Sequence, residues 1–131
     1  MQVRNFTEDS MVGKICLKEQ DKIVVKSNAQ ISQEPGTKRY RVTVENEPTT
    51  FLKIEQKEDR LILMRKNETL RMRYTFQLEK TTKGICQINE LAKPIWLTIN
   101  TTKVIQEPGR IFIEYRLEET PYQFEIKWRE L

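Results

Sequence analysis

Residues 70–78 read Leu70-Arg71-Met72-Arg73-Tyr74-Thr75-Phe76-Gln77-Leu78. Large apolar or aromatic side chains occupy every second position, and polar or charged side chains occupy the positions between them. A period of two places alternate side chains on opposite faces of a β-sheet. We therefore predict a strand with one face in a core and the other in water.

The same alternation extends over most of the chain. It is clear at residues 40–44, 111–117 and 122–128, and shorter runs lie at 14–19, 23–32, 51–57, 61–66, 84–88 and 95–100. Turn-forming residues separate these runs, including the Pro-Gly pairs at 35–36 and 108–109. Because the connections are short and no segment has the length of a crossover helix, the runs predict an antiparallel meander of about eight to ten strands.

A sheet of this width has one apolar face to enclose. Closure into a barrel buries that face and removes both exposed edges, so a barrel is favoured over a sandwich. We predict an all-β fold, a single antiparallel meander β-barrel with little or no helix. The length suits one domain over residues 1–131, within which residues 1–13 are a candidate irregular or edge segment.

The composition argues against several kinds of catalysis. Histidine is absent, and Cys16 and Cys86 lie far apart in the sequence with no Cys-x-x-Cys pair, so we predict no catalytic residue, no metal site and no cofactor. The amino terminus carries acidic residues where a signal peptide needs an apolar stretch, and no run has the length of a membrane span. We therefore predict a cytoplasmic protein that does not enter a membrane and is not an enzyme.

Several stretches of the chain resemble a known family. They are Leu61-Ile62-Leu63-Met64-Arg65, Leu70-Arg71-Met72-Arg73-Tyr74-Thr75-Phe76, Pro108-Gly109-Arg110-Ile111 and Tyr122-Gln123-Phe124-Glu125-Ile126-Lys127-Trp128. Over roughly residues 23–128 the chain resembles the YwiB-like family of Firmicutes, small calycin-like β-barrels of unknown function. The resemblance implies a lipocalin- or streptavidin-like barrel whose relatives commonly hold apolar or small organic ligands in the barrel mouth, and it brings no catalytic residue.

Arg65 is the most informative single residue, because the alternation places it on the same face as Leu61 and Leu63. One interpretation is that Arg65 reaches the rim and pairs there with a carboxylate or with carbonyl groups. The other is that it lines the mouth and binds the anionic group of an amphipathic small molecule, with Tyr40, Tyr74 and Tyr115 as the remaining candidate ligand-binding residues. A barrel this small is filled by its own side chains unless a cavity is demonstrated.

An outer basic face is the alternative functional surface. Residues 60–73 carry most of the excess positive charge, and Arg39, Arg41, Arg71 and Arg73 have outward parity. Such a face can meet phosphates or an acidic protein. Nucleic acid is the less favoured partner because the aromatic residues of these strands, Tyr40, Tyr74 and Phe76, point inward by parity and are not available to stack on bases.

The outward aromatic residues are Phe51, Trp96 and Phe112. They are candidates for an exposed apolar patch, and such a patch is typical of a self-association surface. A homodimer built on Trp96 and Phe112 is therefore a further prediction.

Overall fold

The computed structural model describes residues 9–45 and 49–130. These residues form ten strands and no helix. The strands are β1 (Asp9–Glu19), β2 (Lys22–Gln33), β3 (Arg39–Val44), β4 (Thr50–Gln56), β5 (Leu61–Lys66), β6 (Leu70–Phe76), β7 (Thr81–Ile88), β8 (Ile95–Glu107), β9 (Arg110–Leu117) and β10 (Thr120–Glu130).

The strands follow one another around a closed barrel. Each strand pairs with the next in antiparallel orientation, and β10 pairs with β1, so every strand has a neighbour on both sides. The predicted all-β antiparallel meander barrel is thus confirmed. No helix in the described part of the chain has the length and hydropathy to cross a bilayer.

The amino-terminal segment differs from its prediction. Residues 9–13, predicted to be part of an irregular or edge segment, belong to β1: all of them pair with β2, and residues 11–13 also pair with β10. The reason is closure: β1 joins the last strand to the second, so it has no free edge and its pairing continues to Asp9. Residues 1–8 lie outside the described part of the chain.

Strand alternation produces the core. In β6 the burial pattern alternates, with Tyr74 and Phe76 buried and Arg71 and Arg73 exposed. Inward side chains of neighbouring strands lie opposite one another, as Leu63 does between Ile54 and Tyr74. The buried apolar core consists of inward side chains from the strands around the barrel: Met11, Ile15, Ala29, Ile31, Val42, Val44, Leu52, Ile54, Leu61, Leu63, Tyr74, Phe76, Ile99, Ile111, Ile113, Tyr115, Phe124 and Ile126.

β8 is longer than the predicted run at 95–100. It continues to Glu107, and its pairing with β9 shifts register between Thr101 and Lys103. A bulge of this kind changes which face a side chain occupies and bends the strand. The alternation of the sequence is interrupted at this point for that reason.

The barrel has two different ends. The connections that follow β1, β3, β5, β7 and β9 lie at one end, which we call the mouth, and the remaining connections lie at the other, which we call the packed end. At the packed end the rings of Tyr40 and Trp128 contact each other, with 5.2 Å between their centroids. Phe76, which is only 1% exposed, lies near the packed end in the row that contains Leu61. The core therefore fills this end.

Candidate functional site

A cavity of about 340 Å³ lies inside the mouth. Most of its wall is apolar, and its polar side chains are few. The wall is formed by Ile15, Leu17, Glu19, Val24, Val25, Val44, Thr50, Leu52, Leu63, Arg65, Met72, Tyr74, Tyr115, Leu117, Tyr122 and Phe124. A concave apolar wall with a few polar groups is typical of a small-molecule site, and the volume lies in the usual range.

Arg65 lies in this wall, as one of its two sequence interpretations requires. It is the next-to-last residue of β5, between Leu52 and Met72 of the neighbouring strands, and its side chain is partly buried. Within the described residues its guanidinium has no ion pair and no hydrogen bond. The side chain therefore brings a positive charge to the cavity without a counter-ion from these residues.

Tyr74 and Tyr115 join Arg65 in the wall of the cavity. They are 7% and 5% exposed, and their rings meet edge to face with 6.4 Å between centroids. Burial raises the pKa of the Tyr74 hydroxyl to about 12, with Cys86 adding to the rise and Arg65 opposing it. Burial also raises the pKa of Tyr115. Both hydroxyls therefore stay protonated near neutral pH and can donate hydrogen bonds.

The two hydroxyls of Tyr74 and Tyr115 make no hydrogen bond to any described residue, and neither oxygen is among the fully buried unpartnered atoms. A phenol hydroxyl that reaches a cavity can bond to water or to a polar group of a ligand there. Since both side chains line the cavity, its interior is the place where such a partner can lie.

Tyr122 and Glu19 also belong to the polar part of the wall, and the sequence interpretation did not include them. The Tyr122 hydroxyl donates to Glu19 Oε1 at 2.6 Å, and its ring stacks on Tyr115 with 5.5 Å between centroids. Burial and then the hydrogen bond to Glu19 raise the pKa of Tyr122 to about 12. The sequence signal for Tyr122 is its inward parity at the start of the last strand. In the structure it lies opposite Tyr115.

Tyr40 does not belong to the mouth, and its inclusion with Arg65 is corrected. It is the second residue of β3, which begins at the packed end, and its ring contacts Trp128. Trp128 lies six residues beyond Tyr122 along β10, a separation of about 20 Å at the rise of a strand. Parity correctly gave Tyr40 an inward position but did not give its height along the barrel.

Cys86 is an inward residue near the site. It lies opposite Met72, and burial raises the pKa of its thiol while Arg65 opposes the rise. In the described part of the chain, no three Cys, Asp or Glu side chains lie close enough together to hold a metal ion.

The outer face carries a second concavity, a groove of about 600 Å³. Arg41, Arg71 and Arg73 line it, as does Phe51, whose side chain is 53% exposed. Arg39, the fourth arginine of the predicted basic face, lies outside the groove, where it forms ion pairs with Glu34 and Glu55.

The other outward aromatic residues have different surroundings. Trp96 is 63% exposed, whereas the ring of Phe112 is covered by Arg110 and Lys103 at 5.3 and 6.0 Å. The Phe112 ring is thus partly buried, and the homodimer built on Trp96 and Phe112 stays a prediction.

The chain was compared with known proteins. No protein-family model matches it, and no curated protein matches significantly. Its structure is similar to the crystal structure of the YwiB protein from Bacillus subtilis, with a TM-score of 0.65 and 12% sequence identity, covering 95% of this chain and 92% of that chain. At this identity the similarity concerns the fold, and it shows that this chain has the fold of YwiB.

Proposed function

We propose that the protein is a non-catalytic binding module for a small amphipathic anion. The apolar part of the ligand lies in the mouth cavity, and its single anionic group pairs with Arg65. The observation that carries the proposal is a partly buried guanidinium, without an ion pair to a described residue, in a mostly apolar cavity.

The energetics of the cavity favour such a ligand. A charge removed from water without a partner is unfavourable, and a carboxylate or similar group can accept two parallel hydrogen bonds from a guanidinium. The hydroxyls of Tyr74 and Tyr115 supply two more donors in the same wall. Three donor groups and an apolar wall suit a molecule with one anionic head and a hydrocarbon or aromatic body.

Glu19 adds a limit on the charge of the ligand. Its carboxylate lines the same cavity and already accepts the Tyr122 hydroxyl. A second anionic group on the ligand would be repelled by this carboxylate, which opposes its attraction to Arg65. The proposal therefore favours monoanions over dianions.

The wider placement of the protein is part of this proposal. We infer that the chain is a distant member of the YwiB-like family and acts in the cytoplasm. The shared fold supports the first inference, and the free thiols of Cys16 and Cys86, which are usual in a reducing compartment, support the second.

Isothermal titration with decanoate tests the proposed function. We expect binding to the wild-type protein and an Arg65→Met affinity lower by about 10-fold to 100-fold, the range for loss of a charged hydrogen bond. Arg39→Met is the matched control, because it removes an exposed arginine outside the cavity and should leave the affinity unchanged. Decanol has the same hydrocarbon chain without the charge, so it should bind the wild type more weakly than decanoate does. Its affinity for Arg65→Met should equal its affinity for the wild type.

The stability of the same variant separates a ligand site from a structural role. Replacing an unpaired partly buried charge by an apolar side chain should leave the free energy of unfolding unchanged or raise it. An Arg65→Met protein that is strongly destabilised would instead favour a structural arginine. Equal decanoate binding by folded Arg65→Met and wild type would refute the proposed function.

A further inference from the structure

The outer groove combines positive charge with one exposed aromatic ring. Its outward side chains come from five consecutive strands, β3 to β7, and include Lys53, Lys66, Arg71, Arg73 and Phe51. No described residue that lines it is acidic. The outward cations of this surface lie on the opposite face of the sheet from the mouth cavity, because Arg71 and Arg73 alternate with Met72 and Tyr74 along β6. The two concavities adjoin at Leu52, Arg65 and Met72, which line both.

Strand register brings the ring and the charges together. Phe51 of β4 lies opposite Lys66 of β5, and Lys66 lies opposite Arg71 of β6. Neighbouring strands are about 4.8 Å apart, so this row extends about 10 Å from the ring to the last cation. Arg73 lies one row further along β6, opposite Met64. Three cations thus lie on one side of Phe51.

Some cations of this groove have partners and others have no ion pair. Lys53 has an ion pair with Glu55 at 3.8 Å. Lys66, Arg71 and Arg73 have no ion pair with any described residue. Cations clustered without acidic neighbours produce a local positive potential that attracts a polyanion.

We propose that this groove binds single-stranded nucleic acid. An unpaired base stacks on the exposed face of Phe51, and the adjoining phosphates lie along Lys66, Arg71 and Arg73. Base stacking on an aromatic ring beside a basic groove is the physical basis of sequence-tolerant single-strand binding. The sequence makes nucleic acid the less favoured partner because the aromatic residues of the basic strands point inward, but the register adds the outward Phe51 of β4 to the same surface.

The exposed Phe51 ring favours single-stranded nucleic acid over other polyanions as the ligand of this groove. An acidic peptide or a duplex can satisfy the cations, but neither presents an unpaired base to a 53% exposed phenylalanine. The proposal therefore requires both components, and the contribution of each one can be measured separately.

Fluorescence anisotropy with a labelled oligouridylate of about 10 nucleotides, within the site sizes of small β-barrel binders, tests the proposal. Three phosphate contacts predict that log K falls against log salt with a slope of about −2, at about −0.7 per contact for single strands. The annealed duplex of the same sequence should bind more weakly. A polyglutamate peptide should compete less effectively than unlabelled oligouridylate.

Two variants separate charge from stacking. Arg71→Ala combined with Arg73→Ala should make the salt slope shallower by about 1.4, the amount for two phosphate contacts. Phe51→Ala should lower the affinity by about 10-fold and leave the slope unchanged, since it removes a base stack. Phe51→Leu should lose affinity as well, because leucine keeps the bulk and strand preference of the position without the ring.

The matched control is Arg116→Ala combined with Arg129→Ala. These are two exposed arginines on β9 and β10, outside the groove, and their removal changes the net charge by the same amount. Equal losses of affinity and slope in the control and the groove variant would overturn the proposal in favour of general attraction to a basic protein. Unchanged affinity in folded Phe51→Leu, or duplex binding as tight as single-strand binding, would also overturn it.

Discussion

The packed end and the mouth of the barrel are built from the same strands with the same alternation, but the packed end is filled by side chains and the mouth holds a cavity. At the packed end, inward positions hold Phe76, Ile54 and Ile126, each at most 1% exposed. At the mouth, the corresponding positions hold Arg65 and tyrosines around a cavity of about 340 Å³. A period of two therefore determines which side chains point inward, and the identity of the side chains near each end determines whether the interior is filled or open.

Truncation of the packed end gives the largest expected change in stability. Phe76→Ala should lower the free energy of unfolding by about 3–5 kcal/mol, because it leaves a cavity in a filled core. Met72→Ala, at the wall of the mouth, should cost less because part of its side chain already faces the cavity. Urea unfolding of both variants measures the difference. Equal losses would mean that the mouth is packed as tightly as the other end.

Gly84→Ala probes the boundary between the two ends. A Cβ at this position would lie 2.7 Å from Tyr74 Cδ1 and 3.0 Å from Ile99 Cδ1. Overpacking of this kind destabilises a core by about 1–3 kcal/mol. Since Tyr74 can relieve the overlap by shifting into the cavity, the variant should also bind decanoate more weakly.

Decanoate titration and urea unfolding of Gly84→Ala together test whether the Tyr74 ring shifts into the cavity. Gly36→Ala is not a suitable control, because Gly36 has a positive φ of 71° and its replacement is strained for a different reason. Val12→Ala, an exposed position on β1, is preferable. A stable Gly84→Ala with unchanged binding would show that the strand moves in place of the Tyr74 ring.

The sequence predicted the faces of the strands better than their heights. Inward positions for Arg65, Tyr74 and Tyr115 follow from parity alone, and the structure agrees. Tyr40 has the same parity but lies at the packed end, because height depends on where each strand begins in the closed barrel. That information lies in the direction and register of the consecutive strands β3, β4 and β5, and alternation within one strand does not contain it.

The missed part of the site lies where the first and last strands pair. Glu19 lies directly before a tight turn in which Gln20 and Asp21 both have positive φ, 49° and 65°. Such turns are normally identified by Asn-Gly or Gly pairs, and neither residue here is a glycine. The predicted run at 14–19 did end at Glu19, but alternation gave no register between the first and last strands, so the pairing of Glu19 with Tyr122 across the barrel seam had no sequence signal.

Alkaline pH should weaken the mouth through Tyr74. Its pKa is about 12 in the folded protein, raised from the ordinary 10.0 by burial. Because the unfolded chain loses this proton first, the stability from Tyr74 is complete below about pH 10 and declines as the pH rises toward 12. Tyr74→Phe should remove up to about 1.4 kcal/mol of that decline per pH unit. Parallel pH profiles of the free energy of unfolding for the variant and the wild type would contradict this assignment.

Tyr122→Phe gives the smallest expected effect, and it tests whether the rim of the mouth contributes to folding at all. The variant removes the hydroxyl that donates to Glu19 Oε1 at 2.6 Å and keeps the ring that stacks on Tyr115. A hydrogen bond to a charged group contributes about 1.5–3 kcal/mol, and partial exposure of Tyr122 places the expected loss at or below the lower end of that range. Glu19→Gln keeps an oxygen that can accept the same hydrogen bond, so it should lose less than Tyr122→Phe in urea unfolding at neutral pH. If instead Glu19→Gln lost more, the carboxylate would have a partner besides Tyr122, and the rim would be held by charge as well as by this hydrogen bond.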